Sequence, residues 1–160
     1  MAIVFTLVTS VAFSQTTVVD IIVGSPDHNT LEAAVVAAEL ADDLSAKGSF
    51  TVFAPTDAAF AALPEGTVET LLEDPTGDLA QILLYHVVGT EVMSGDLSDG
   101  QSVNTLNGIN SSISSKNGSF YVDNAKITVA DIKADNGVVH VIDAVIIPAS
   151  PVAKASSGCN

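Results

Sequence analysis

Two histidines in this 160-residue chain lie inside apolar runs, and they are the first residues that could do chemistry. His86 stands in Leu83-Leu84-Tyr85-His86-Val87-Val88, and His140 in Val138-Val139-His140-Val141-Ile142. An imidazole in such surroundings needs at least one hydrogen-bond partner. A pair of them could bind a metal or act as a general base. Alternatively, each ties strand to helix through a backbone or hydroxyl group. Neither has the HxxxH or Cys/His spacing of a metal site, so bracing is the expectation, without a metal. The third histidine, His28, follows the polar turn Gly24-Ser25-Pro26-Asp27 and is expected to be solvated.

Two carboxylates accompany these runs. Asp57 follows Pro55-Thr56 and reads as a helix cap or a brace rather than an acid catalyst. Asp143 falls within the late apolar run and must be paired or sit at a bulge. An Asp57–His140 or Asp143–His86 contact would form half a catalytic triad. No Gly-x-Ser-x-Gly elbow supplies a nucleophile, so no catalysis is expected. Tyr85 is either an exposed aromatic anchor or half-buried, with its ring in the core and its hydroxyl at the edge. The loop Asp96-Leu97-Ser98-Asp99-Gly100 lacks EF-hand spacing and reads as a solvated turn, and no cofactor is expected. Asn110-Ser111-Ser112 and Asn117-Gly118-Ser119 fit the glycosylation pattern, which matters only in a eukaryotic host. Cys159 stands alone, a free thiol or an intermolecular link, so no disulfide framework is possible.

The elements that position these groups can be read from spacing. Thr51-Val52-Phe53-Ala54 is a short buried strand that should stop at Pro55. Thr56 or Asp57 then caps a helix through Ala61, ended by Leu63-Pro64. This elbow fixes the angle between a sheet and its helical layer. Before it, Thr17 to Val23 is an apolar segment, helix or strand. Leu31, Ala34, Val35, Ala38, Ala41 and Leu44 form the stripe of one helix, capped by Asn29 or Thr30 and stopped at Lys47-Gly48. After it come a short helix over Val68 to Glu73 and a second that starts near Asp78 and ends in Tyr85-His86-Val87-Val88-Gly89.

From Glu91 the period changes to two. Val92-Met93 is a brief strand. Asn107-Gly108 predicts a type I′ hairpin turn, and Lys116-Asn117-Gly118 and Asp135-Asn136-Gly137 mark further turns. Ile127 and Val129 share one face while Ile132 falls on the other, which predicts a bulge near Ala130-Asp131. Val138 to Pro148 is apolar on both faces apart from His140 and Asp143, so it reads as a central strand covered on both sides. Helices first and strands after give an α+β order.

At this length the chain is one domain with tails. Its net charge of −14, with five basic residues, argues against nucleic acid and against anionic membrane surfaces. An acidic surface serves solubility. Residues 1–14 are apolar and too short for a membrane-spanning helix, which needs ~20 residues. Ala12-Phe13-Ser14 has the small residues of a signal-peptidase site, so 1–14 reads as a signal-peptide remnant lacking its positive n-region. An N-terminal strand is the alternative. Residues 149–160 read as a flexible tail or linker.

Three segments in order, Thr51–Phe60, Leu83–Val88 and Asn136–Pro148, resemble the blocks of a fasciclin (FAS1) domain, with the middle one matching its tyrosine–histidine motif. The resemblance places that domain at 15–148. It implies a FAS1-type β-wedge of two sheets with a layer of helices from the N-terminal half. It also implies an adhesion or interaction role outside the cell, with a protein or glycan as partner. Tyr85 and His86 resemble the motif that adhesion proteins of this family use toward integrins, which makes them the candidate binding residues. Thr56, Asp57, His140 and Asp143 belong to the structural blocks. Some relatives resemble carriers of apolar pigments, so a small apolar ligand in a cleft between helices and sheet is the alternative. Oligomeric state is left open.

Overall fold

A computed structural model describes residues 16–46, 48–64, 66–73 and 77–147. The signal-like segment 1–14, the stop at Lys47, the tail 149–160 and Cys159 lie outside the described residues. Six helices and seven strands follow in order: α1 Val18–Val23, α2 Asn29–Ala37, α3 Ala41–Ser45, β1 Phe50–Pro55, α4 Asp57–Ala61, α5 Thr67–Glu73, α6 Asp78–Tyr85, β2 Val87–Val88, β3 Ser102–Asn104, β4 Asn110–Lys116, β5 Ser119–Val122, β6 Ala125–Ala134 and β7 Gly137–Ile142.

The segment after Thr17, which its sequence allows as helix or strand, is helical for a local reason. The Thr17 hydroxyl accepts from the Asp20 backbone N–H at 3.2 Å, and the Asp20 carboxylate accepts from the Thr17 N–H at 2.8 Å. This reciprocal capping box satisfies two orphan donors of α1, and the Thr17 bonds hold the Asp20 carboxyl below its ordinary range.

The expected single helix from Leu31 to Leu44 is two helices. Glu39 adopts φ +58°. Its N–H donates to the Val36 carbonyl, and the Leu40 N–H to the Val35 carbonyl, both at 3.1 Å. That pair of bonds is a Schellman stop, normally built on glycine. Here Leu40 and Val35, both buried, supply its apolar contact. The chain changes direction there, and Leu40 and Leu44 still reach the core.

The strands pair in the order β2-β1-β7-β6-β5-β4-β3. β1 and β7 are parallel, with Phe53 opposite His140; every other pair is antiparallel. The two ends of the sheet meet through a bridge between Val88 and Thr105, supported by the Leu106 N–H on the Val87 carbonyl at 2.8 Å. The sheet thus curls into a wedge whose end strands face each other.

Alternation along the central strands makes two interiors. Val52, Ala54 and Val139 face the helices and pack with Ile22, Leu31, Val35 and Leu83. Phe53 and Ile142 face into the wedge with Tyr85, Val103, Ile113 and Val122. All six residues of β7 are buried, as a doubly covered strand requires. That strand ends at Ile142, short of the expected Pro148. At roughly 1.5–3 kcal/mol for each large apolar side chain, these two layers dominate the stability.

Turn chemistry agrees with the sequence reading at one hairpin and diverges from it at two. Asn117 and Gly118 take φ +53° and +80°, the type I′ pattern. At Asn107-Gly108 only the glycine has positive φ, at +92°. The loop there is one residue longer, closed by Gly108 N–H on the Thr105 carbonyl at 3.0 Å, with the Asn107 amide spent on the Gln81 carbonyl at 2.7 Å. Asn136 is buried rather than a surface turn residue. Its side-chain Oδ1 accepts from the Val18 N–H at 2.9 Å, and its side-chain amide donates to Leu44 O at 2.6 Å and Ala46 O at 3.0 Å. One side chain therefore ties the start of α1 to the end of α3. Val92-Met93 is not a strand: the Val92 N–H bonds the Thr51 hydroxyl at 2.7 Å instead of a ladder partner. The expected bulge is present, with Asp131 at φ +60° and register shifts on both sides of Val129.

Candidate functional site

Leu79, Ile82 and Leu83 are the buried stripe of α6 and anchor it to the core. Its last turn therefore delivers Tyr85 and His86 to the junction with β2. Both are buried, with 3% and 2% of their surface exposed. His86 Nδ1–H donates to its own helix at Ile82 O, 2.7 Å away, and Nε2 accepts from the Ile146 N–H at 2.9 Å. The ring thus fastens the end of α6 to the segment after β7. Burial pushes its pKa down to about 4, against the raising effects of the Ile82 carbonyl and the Asp123 charge.

His140 has the opposite tautomer. Nε2–H donates to Val92 O at 2.8 Å, and Nδ1 accepts from the Asp131 N–H at 3.2 Å. It stacks on Phe53 with ring centroids 5.6 Å apart. Burial lowers its pKa, opposed by the Val92 carbonyl and the Asp131 carboxylate. The bulge that exposes the Asp131 N–H is what gives His140 its second partner. Every ring nitrogen of this pair is occupied, so neither ring has a lone pair free for a metal or a substrate proton.

Tyr85 places its ring in the wedge interior and its hydroxyl on Asp123 Oδ2 at 2.7 Å. Asp123 also accepts from Ser111 Oγ at 3.0 Å and the Ser112 N–H at 2.9 Å. Burial first, then the bond to Asp123 and its negative charge, push the Tyr85 phenol up to about 12. Tyr85, Ser112, Asp123, Asn124 and Ile147 line a cleft of about 330 Å³. The sequence offered no sign of Asp123: it occupies an ordinary strand-connecting turn, and only folding brings it beneath the phenol.

The elbow residues act as braces. Thr56 Oγ accepts from the Ala59 N–H at 3.3 Å and caps α4. Asp57 reaches across to α2, accepting from the Thr30 N–H at 2.7 Å and from the Asn29 amide at 3.2 Å. Those bonds, the Thr30 backbone first, hold its carboxyl below the ordinary range, although partial burial opposes them. Asp57→Ala is expected to cost about 1–2 kcal/mol of unfolding free energy, as lost caps do. Urea denaturation at neutral pH checks this. Asp143 is paired, as expected, but it stands exposed just past β7 rather than inside the doubly covered strand. Its carboxylate accepts from the Lys126 N–H at 2.9 Å. Neither Asp57–His140 nor Asp143–His86 forms.

His28 is a correction. It is buried, 5% exposed, with Nδ1 2.7 Å from Ser25 Oγ. It lines a cavity of about 270 Å³ between α1 and the β6–β7 face, together with Ile21, Ile22, Val129, Ile132 and Val141. Among the described residues no cluster of three His, Cys, Asp or Glu forms a metal site, and no helix is long and apolar enough to cross a membrane.

A helical layer against a curled sheet, with a tyrosine–histidine pair locked at the end of α6, is the architecture of a fasciclin domain. The Fasciclin domain family matches residues 26–148, and the chain belongs to it. It is similar to protein sll1483 of Synechocystis sp., 47% identical over 136 residues that span 84% of this chain and 75% of that protein. It is also similar to transforming growth factor-beta-induced protein ig-h3 of Sus scrofa, 40% identical over 132 residues, 82% of this chain but 19% of that longer protein. Among solved structures, the FAS1 domain pair of the insect cell adhesion molecule Fasciclin I shares the fold, with TM-score 0.64 and 20% identity over 83% of this chain and 51% of that one.

Proposed function

We propose that this domain is an extracellular interaction module that binds a protein or glycan and performs no chemistry. The supporting observation is that each ring nitrogen of His86 and His140 is committed to a backbone partner. Motif residues used in this way shape a surface. Family membership supplies the class of function, and fold alone does not name a partner. In this reading residues 15–148 are the working unit, exported after loss of 1–14, with 149–160 as a tail. The protein is secreted or held at the cell surface.

The contact surface lies around the Tyr85 cleft. Tyr85 and His86 expose almost no ring area, so their role is to hold that cleft in shape, with the phenol hydroxyl at its wall. A screen of the mature chain against extracellular proteins and glycans, with and without calcium, is expected to find saturable binding. Tyr85→Phe, which deletes the hydroxyl on Asp123 and keeps the ring, is expected to weaken that binding about tenfold with the fold intact. Unchanged affinity in the variant would remove the cleft from the interface.

The cavity beside His28 favours a second reading, a carrier of a small apolar ligand held between helices and sheet. Its volume is near the lower end of ligand pockets, roughly 300–1,000 Å³. Saturable uptake of apolar molecules, with no extracellular partner found, would put this reading first.

A further inference from the structure

His28 Nε2 is buried without a hydrogen-bond partner, alone in this respect among the side-chain atoms of the described residues. An orphaned buried nitrogen is costly, and native structures hold few of them. No side chain of the cavity wall pairs with it. Ser25 Oγ is engaged with the other ring nitrogen, and Thr56 Oγ caps α4. The remaining wall is mostly aliphatic, from Ile21, Ile22, Ile132, Val139 and Val141. An apolar body bearing one polar group would fit both the wall and the nitrogen.

We infer that the cavity between α1 and the β6–β7 face is a binding site for a small apolar alcohol or phenol, whose hydroxyl pairs with His28 Nε2. This rests on the carrier reading and specifies its ligand. A hydroxyl both donates and accepts, so it suits the ring whichever nitrogen carries the proton. A carboxylate is disfavoured by the chain's net charge of −14 and by Asp27 at the cavity wall. Size follows from volume. A cavity of about 150 Å³ holds benzene, so about 270 Å³ accommodates a dozen or so non-hydrogen atoms. Entry is past Val129 and Asp27, both exposed. The bulges around Val129 set its side chain at this mouth.

The test is a nitrogen-15 NMR titration of the mature chain with 1-naphthol and, separately, naphthalene. Both are expected to shift amides of Ile22, Val139 and Val141 saturably, with 1-naphthol about tenfold tighter, the worth of one buried hydrogen bond. In His28→Phe the preference should vanish or reverse, because the phenol hydroxyl then enters an apolar site without a partner. Equal affinities for the two probes in the unaltered protein would overturn the His28 pairing while leaving the carrier reading in place. Shifts from neither probe would overturn both. The comparison within the unaltered protein decides the matter even if the variant fails to fold.

Discussion

Gly137→Ala is expected to yield no cooperatively folded protein. A Cβ at residue 137 would lie 2.0 Å from the Phe50 carbonyl oxygen, 2.8 Å from its carbon and 2.9 Å from the Phe50 nitrogen. All three are backbone atoms, so no side chain can swing aside. Phe50 and Gly137 are also partners in the first rung of the parallel β1–β7 ladder. Relief requires the two central strands to part where both interiors depend on them. Overpacking in a core that can adjust costs about 1–3 kcal/mol. Here the obstacle is main chain, and a loss above about 4 kcal/mol approaches the whole stability of a small domain, about 5–15 kcal/mol. Gly118→Ala is the control. That glycine has φ +80° but open space where its Cβ would go, so its cost should stay near 1 kcal/mol. Circular dichroism with urea titration distinguishes the two. A Gly137→Ala transition within about 1 kcal/mol of the parent would refute the close approach.

Acidification between pH 6.5 and 4 is expected to destabilise the domain by roughly 3 kcal/mol through His86 alone. The sign follows from the shift. The folded pKa of about 4 lies below the ordinary 6.5, so the unfolded chain binds the proton more readily. The contribution of the neutral ring is complete above pH 6.5, falls as pH drops toward 4, and changes no further below that. His140 shifts in the same direction and adds to the slope. Asp20, Asp57 and Asp131 have lowered values, so their contributions persist through this window and decay only as pH falls below their ordinary value near 3.8. At the alkaline end Tyr85 acts with the opposite sense, its contribution intact below pH 10 and lost as pH rises toward about 12. Urea midpoints from pH 7.5 to 4.5 should show a marked decline. His86→Gln should start less stable and decline less steeply. An equal slope in both proteins would mean that His86 is not the titrating group.

These two effects come from positions whose importance the sequence shows unequally. His86 stands out because it interrupts an apolar run. Gly137 looks like any turn glycine, because close approach to Phe50 is a relation between residues far apart in the chain. The stop at Glu39 was hidden for a related reason. Its hydrogen bonds are local, but glutamate in place of glycine gives no warning. Asp123 and Asp131, the carboxylates nearest Tyr85 and His140, lie in a turn and a bulge, where acids are common. His28 looks solvated in the sequence because Ser25, Pro26 and Asp27 around it are polar, while the wall over its ring comes from α1 and from β6 and β7.

By itself the sequence determined the local and periodic features. These are the strand-to-helix elbow at Thr51–Ala61, the stripe of α6, the bulge before Ile132 and the apolar run of Val138–Ile142, because period and capping are written in neighbouring residues. Which partners those elements meet is set by the assembled fold: the parallel seating of β7 on β1, the closure of β2 on Thr105, and the hydrogen bonds that leave His86 and His140 full and His28 open. Those depend on contacts across long stretches of chain, where burial and pairing are set by the assembled whole.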